Sequence, residues 1–82
     1  MQKLIIGNWK SNPNTVTDAE KLAIAEDYDG VVIAPPFQYL DKVGSLLKHA
    51  MLGAQDVFWE DGGPYTGEVS ASQLKDLKVS HV

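Results

Sequence analysis

The sequence predicts an α/β chain with parallel strands, part of a (β/α)8 barrel, in the order β-α-β-α-β-α-β. Three observations carry that prediction. Leu4-Ile5-Ile6 and Val31-Val32-Ile33-Ala34 are apolar without alternation, as in strands buried on both faces of a parallel sheet. Segments with helical spacing separate the strand-like runs, which implies right-handed crossovers. Each strand also stops abruptly, at Gly7-Asn8, at Pro35-Pro36 and at Gln55-Asp56. A dinucleotide-binding sheet would carry G-x-G-x-x-G after its first strand, and Gly7-Asn8-Trp9-Lys10 is a different pattern. A phosphate-binding P-loop is likewise absent from the sequence. A complete barrel needs about 250 residues, whereas these 82 make three βα units and the start of a fourth strand.

The first strand is expected over Lys3 to Ile6, with a loop from Gly7 to Val16. Gly7 is placed where a turn or a close backbone approach would exclude a side chain. Asn12-Pro13-Asn14 opposes helix. Thr17-Asp18-Ala19-Glu20 has the form of a capping box, with Thr17 as N-cap and Glu20 reaching back. The helix it opens presents Ala19, Leu22 and Ala23 on one face and ends near Asp27. Asp29-Gly30 marks a turn before the second strand, Val31 to Ala34. Pro35-Pro36 closes that strand, and Pro36 suits the first turn of a helix running to Lys48. Phe37, Leu40, Val43, Leu46 and Leu47 form its apolar face.

His49 to Gln55 reads as the third strand, followed by a long loop from Val57 to Val69 rich in aromatics and glycine. Ser70-Ala71-Ser72-Gln73 is a second capping box, opening a short helix that holds Leu74 and Leu77. Val79-Ser80-His81-Val82 begins a fourth strand. The 82 residues are thus expected to form a single, incomplete barrel domain spanning residues 1–82.

Composition narrows the functional classes. The formal net charge of −4, without any basic stripe, disfavours nucleic acid as a partner. The absence of cysteine excludes a disulfide framework and thiolate metal ligation. The N-terminal apolar run is too short for a signal peptide or a membrane span, so a soluble, cytoplasmic protein is expected. His49 and His81 lack a second ligand at metal spacing and read as structural residues, so no metal and no cofactor is expected.

In parallel α/β folds ligands bind at the C-terminal ends of the strands. Asn8 and Lys10 stand there after the first strand, an amide and an ammonium suited to an anion. Taken singly, Lys10 is also compatible with a solvated loop lysine, and Asn8 with a turn residue satisfying its own backbone. Trp9, Phe58, Trp59 and Tyr65 read as packing or interface residues, and Glu60-Asp61 as a solvated loop tip.

Gly7-Asn8-Trp9-Lys10-Ser11-Asn12, Ala34-Pro35-Pro36, Gly53-Ala54-Gln55-Asp56 and Tyr65-Thr66-Gly67-Glu68-Val69-Ser70 occur in one order after successive strands. Together they closely resemble the N-terminal part of the triosephosphate isomerase family, over the whole chain. The resemblance implies a partial TIM barrel and the interconversion of dihydroxyacetone phosphate and glyceraldehyde 3-phosphate, in glycolysis and gluconeogenesis. It implies that Asn8 and Lys10 bind the substrate, with Lys10 also stabilising developing negative charge. Gln55, Tyr65, Thr66, Gly67 and Glu68 match a loop that enters a neighbouring subunit, and Glu68 matches a buried carboxylate paired with an arginine.

The family's electrophilic histidine, general-base glutamate and phosphate loops have no counterpart here, and His81 lies too early to be that histidine. These 82 residues alone are therefore expected to be inactive. Ser11 stands where the family often has an apolar residue under the neighbour's loop. The short first helix is expected to leave the first two strands less covered. With an uncovered sheet face, Leu4, Ile6, Val32, Met51 and Val82 would meet water, which favours association. The expected partner is a second copy or a complementary C-terminal barrel fragment, with triose phosphate bound only once the site is complete. The alternative expectation is a self-associating remnant with a structural role and no catalysis.

Overall fold

A computed structural model of the chain describes residues 3–82; Met1 and Gln2, included in the expected domain, lie outside the described residues. The architecture is α/β, a partial TIM barrel. Strands β1 (Ile5–Asn8), β2 (Val31–Ala34) and β3 (Met51–Leu52) form a parallel sheet in the order β1-β2-β3. Helices α1 (Val16–Ala25), α2 (Leu40–Leu46) and α3 (Ala71–Asp76) alternate with them, and a 3-10 turn at Phe37–Tyr39 leads into α2. Gly53 pairs in parallel with His81. Around that pair Ser80 N–H donates to the Leu52 carbonyl at 2.8 Å and Ala54 N–H to the His81 carbonyl at 2.9 Å. The expected fourth strand is therefore present as its first pairing beside β3.

The register sorts the side chains. Ile6 aligns with Val32 and Met51, whereas Gly7 aligns with Ile33 and Leu52. Because successive residues alternate between faces, Ile33, Leu52, Ala54 and Trp9 turn to the helix layer. They form the core with Ala19, Ala23, Tyr39, Leu40, Val43 and Leu74. The helical faces anticipated at Ala19, Ala23, Leu40 and Val43 are thus the buried ones. The molecule is only 19 Å along its shortest axis, the thickness of one sheet and one helix layer.

The opposite face stays open. Leu4, Ile6 and Met51 are exposed there, as expected for an uncovered sheet; Val82 is exposed too, but it follows His81, which pairs with Gly53, and so falls on the helix-facing side against the expectation. Val32 departs from that expectation and is buried. Its strand is central, and Gly53 on β3's continuation lets it pack closely: a Cβ at Gly53 would lie 2.7 Å from Val32 Cγ1. The expectation that Leu4-Ile5-Ile6 is buried on both faces fails. Among the described residues β1 has a neighbour on one side only, and even Ile5, on the helix-facing side, is 65% exposed. The limited reach of α1 therefore affects β1 and not β2, where Ile33 is fully buried.

Boundaries shift for local reasons. The N-cap of α1 lies two residues earlier than Thr17: it is Thr15, in extended conformation, and its side-chain oxygen accepts from Asp18 N–H at 3.2 Å. Thr15-Asp18 and Thr17-Glu20 offer the same spacing, and the chain uses the first. Ser70 and Gln73 form the reciprocal capping box expected at α3. Helix α2 ends at Leu46, and the third strand begins only at Met51, because the intervening backbone is engaged elsewhere. The Asp27 carboxylate accepts from the N–H groups of Lys48, His49 and Ala50 at 2.7 to 2.8 Å. These bonds, that of Ala50 foremost, hold the Asp27 pKa below its ordinary value. No helix among the described residues is long and apolar enough to cross a membrane.

Candidate functional site

The loop after β1 is built by polar groups that close on its backbone. Trp9 N–H donates to the Ala34 carbonyl at 3.1 Å, which extends the pairing of β1 with β2 by one residue. Lys10 then takes a left-handed conformation, with φ of 59°. Gly7, the expected turning point, has an ordinary backbone, and a Cβ there would meet only normal contacts, the nearest 3.6 Å from Glu26 Oε1. The turn thus falls three residues later, on a residue that pays the steric cost of a β-carbon.

Four side chains hold that conformation. Asn8 Oδ1 accepts from Lys10 N–H at 2.8 Å, so Asn8 does act as a turn residue. Gln55 Nε2 donates to the Lys10 carbonyl at 2.8 Å and to the Ala34 carbonyl at 2.9 Å. Asn12 Nδ2 donates to the Trp9 carbonyl at 3.3 Å. The buried Trp9 indole N–H donates to Glu26 Oε1 at 2.9 Å. Farther along, Tyr39 O–H donates to the Pro13 carbonyl at 2.9 Å. The loop is therefore fastened to the ends of β1, β2 and β3 and to α1.

Asn8 and Lys10 are both exposed at the carboxyl end of β1. Lys10 makes no ion pair among the described residues, where the single pair is His49 with Asp29 at 3.6 Å. Asn8 Nδ2 has no hydrogen-bond partner among the described residues. An ammonium and an amide donor thus face solvent from a constrained turn, which is a chemistry suited to an anion.

The residues expected at an interface lie apart from this turn, Gln55 excepted. Tyr65 packs on Phe58, with ring centroids 4.8 Å apart, and Trp59 is 82% exposed beside them. Gly67 adopts φ of 86° next to exposed Thr66 and Glu68. Glu68, which the resemblance makes a buried carboxylate, is exposed and so needs no buried counter-charge. The loop is closed at its base by Phe58 N–H on the Val69 carbonyl at 2.8 Å. Asp61, expected at a solvated tip, accepts from Ser72 Oγ and ties the tip to α3. Among the described residues no cluster of His, Asp or Glu could hold a metal ion.

Comparison with known proteins decides the lineage. The family description "Triosephosphate isomerase" matches residues 3–82. The chain belongs to the triosephosphate isomerase family.

Among triosephosphate isomerases, that of Caldanaerobacter subterraneus subsp. tengcongensis is 39% identical over 87 aligned positions, covering 96% of this chain and 35% of its own length. The triosephosphate isomerase of Pelobacter propionicus is 41% identical over 90 positions, with 96% and 35% covered. That of Gluconacetobacter diazotrophicus is 40% identical over 91 positions, with 100% and 37% covered. The chain thus spans little more than a third of the length of these triosephosphate isomerases. Sequence reasoning missed Glu26, Asp27 and Thr15, whose roles depend on contacts that no local motif spells out, save for the Thr15-Asp18 spacing.

Proposed function

We propose that this chain supplies the first substrate-binding loop of a triosephosphate isomerase, with Asn8 and Lys10 as the groups that meet the phosphorylated substrate. The observation that carries this reading is the Lys10 turn. An ammonium without an ion pair among the described residues sits on a left-handed residue whose N–H and carbonyl are each fixed by a side chain, Asn8 and Gln55. Such fixation aims a charge at a site with little reorganisation, as electrostatic stabilisation of a developing enediolate oxygen requires. Gln55 supports the loop from within the chain, and Tyr65, Thr66, Gly67 and Glu68 are the surface offered to a neighbouring subunit.

The proton transfers of the isomerisation need an acid and a base. In this reading those groups come from further polypeptide, whether the rest of a longer chain or a separate one, and the 82 residues alone do not turn over triose phosphate. An isomerase assay on the purified chain, with its mass measured in solution, tests both halves. No turnover together with an associated species is expected; turnover by the monomer would overturn the reading.

A second reading is favoured by the open sheet face. Leu4, Ile6 and Met51 are exposed on it in a molecule of 82 residues, and such surfaces associate. A chain that self-associates and fails to shift on titration with inorganic phosphate would be a structural module of enzymatic ancestry.

A further inference from the structure

We infer that Glu26 is a positioning residue for Lys10, acting through Trp9. The inference rests on the reading of Lys10 as the anion-binding group. A left-handed residue with a β-carbon persists only where its surroundings over-determine it. Three of the bonds that do so come from the loop itself or from the strand ends: Asn8 to Lys10, Asn12 to Trp9, and Gln55 to Lys10. Glu26 is the one that reaches the turn from the helix layer.

Its geometry suits that task. Glu26 is the C-cap of α1, and its own N–H is held by the Leu22 carbonyl at 3.0 Å, so its backbone is set by the helix. The half-buried carboxylate lies beside Gly7 on the helix-facing side of β1 and accepts the Trp9 indole N–H at 2.9 Å. A bond from a neutral donor to a carboxylate is short and strong, and partial burial spares it competition from water. With the indole fixed and the Trp9 N–H on Ala34, rotation about the bonds leading into Lys10 is restricted at both ends of Trp9. Lys10 begins its turn from a residue that cannot swing. The carboxylate's contribution is directional, because Trp9 otherwise belongs to the apolar core cluster.

The 82-residue chain itself provides the test. A left-handed residue brings its amide proton closer to its own Hα than right-handed or extended residues do, so Lys10 has a distinct intraresidue nuclear Overhauser signature. Three variants are compared with wild type, and slow exchange of the Gly53 amide, which donates to the Ile33 carbonyl at 2.8 Å, reports that each is folded. Glu26→Gln keeps an acceptor oxygen and is expected to keep the Lys10 signature. Glu26→Leu and Trp9→Phe remove the acceptor or the donor and are expected to lose it, with inorganic phosphate binding at Lys10 weakened severalfold. A folded Glu26→Leu or Trp9→Phe chain that retains the signature overturns the inference, as does loss of the signature in Glu26→Gln. If Glu26→Leu does not fold, Trp9→Phe decides alone. Failure of wild type to bind phosphate, with the signature following the variants as expected, overturns the reading of Lys10 and leaves the positioning role standing.

Discussion

The side-chain amide of Gln55 lies 2.8 Å from the carbonyl oxygen of Lys10, across 45 residues of sequence, and its second proton meets the Ala34 carbonyl at 2.9 Å. One amide group thus joins the carboxyl ends of the first three strands. Replacing Gln55 by Ala leaves the Lys10 carbonyl without its donor and the Ala34 carbonyl with the Trp9 N–H alone, and is expected to cost about 1–2 kcal/mol of stability. Urea unfolding checks this, and an unchanged midpoint would show that water replaces the amide without loss.

Lys10 carries its charge on an unfavourable backbone. Lys10→Gly removes the β-carbon that opposes φ of 59°, a relief of about 1 kcal/mol partly offset by the added freedom of the unfolded chain. The substitution is expected to hold or raise the thermal midpoint while abolishing phosphate binding. A clear fall in the midpoint would mean that the lysine stem packs on its surroundings.

The Asp27 clasp gives the fold an acid limit. Its folded pKa is held low by the N–H groups of Ala50, Lys48 and His49, whereas in the unfolded chain it returns to about 3.9. The contribution is therefore fully present above the unfolded value and is lost as pH falls through the folded one. Unfolding midpoints recorded from neutral pH downward are expected to drop below about pH 4, and less steeply in Asp27→Ala, which is destabilised already at neutral pH. Parallel curves for the two proteins would assign the acid sensitivity to other carboxylates.

Gly53 is required by close packing. Gly53→Ala would set a methyl 2.7 Å from Val32 Cγ1 and is expected to cost about 1–3 kcal/mol by overpacking. Adding Val32→Ala removes the opposing methyl, so the double variant is expected to lose less than the sum of the single losses. Strict additivity in chemical denaturation would refute the contact.

The open face predicts association. Ile6→Lys places a charge on the exposed side of β1, where Ile6 is 59% exposed, and is expected to shift sedimentation toward the single chain. An unaltered mass would move the contact surface elsewhere.

Much of this architecture was legible because its determinants are local. Val31 to Ala34 forms a strand between the boundaries its residues suggest, and Ser70 with Gln73 caps α3 as their spacing implies. The motif around Asn8 and Lys10 marked the loop that lies at the end of β1. What the sequence concealed depends on distant partners. Thr15 and Thr17 both stand three residues before an acidic residue, and it is Thr15 that accepts from Asp18 N–H. Asp27 decides where α2 stops and β3 starts from more than twenty residues away. Gly7 suggested a turn that Lys10 makes, because the side chains of Asn8 and Gln55 outweigh the steric preference. Burial of β1 was overestimated, since an apolar run carries no record of whether a second neighbour flanks it.

The spatial order of the sheet is the order of the chain, β1, then β2, then β3, then the first pairing of His81. During synthesis each strand leaves the ribosome after the neighbour it will join. Every crossover closes over one helix, so no segment must await a distant partner before it pairs. Growth of this sheet can keep pace with translation, one strand at a time.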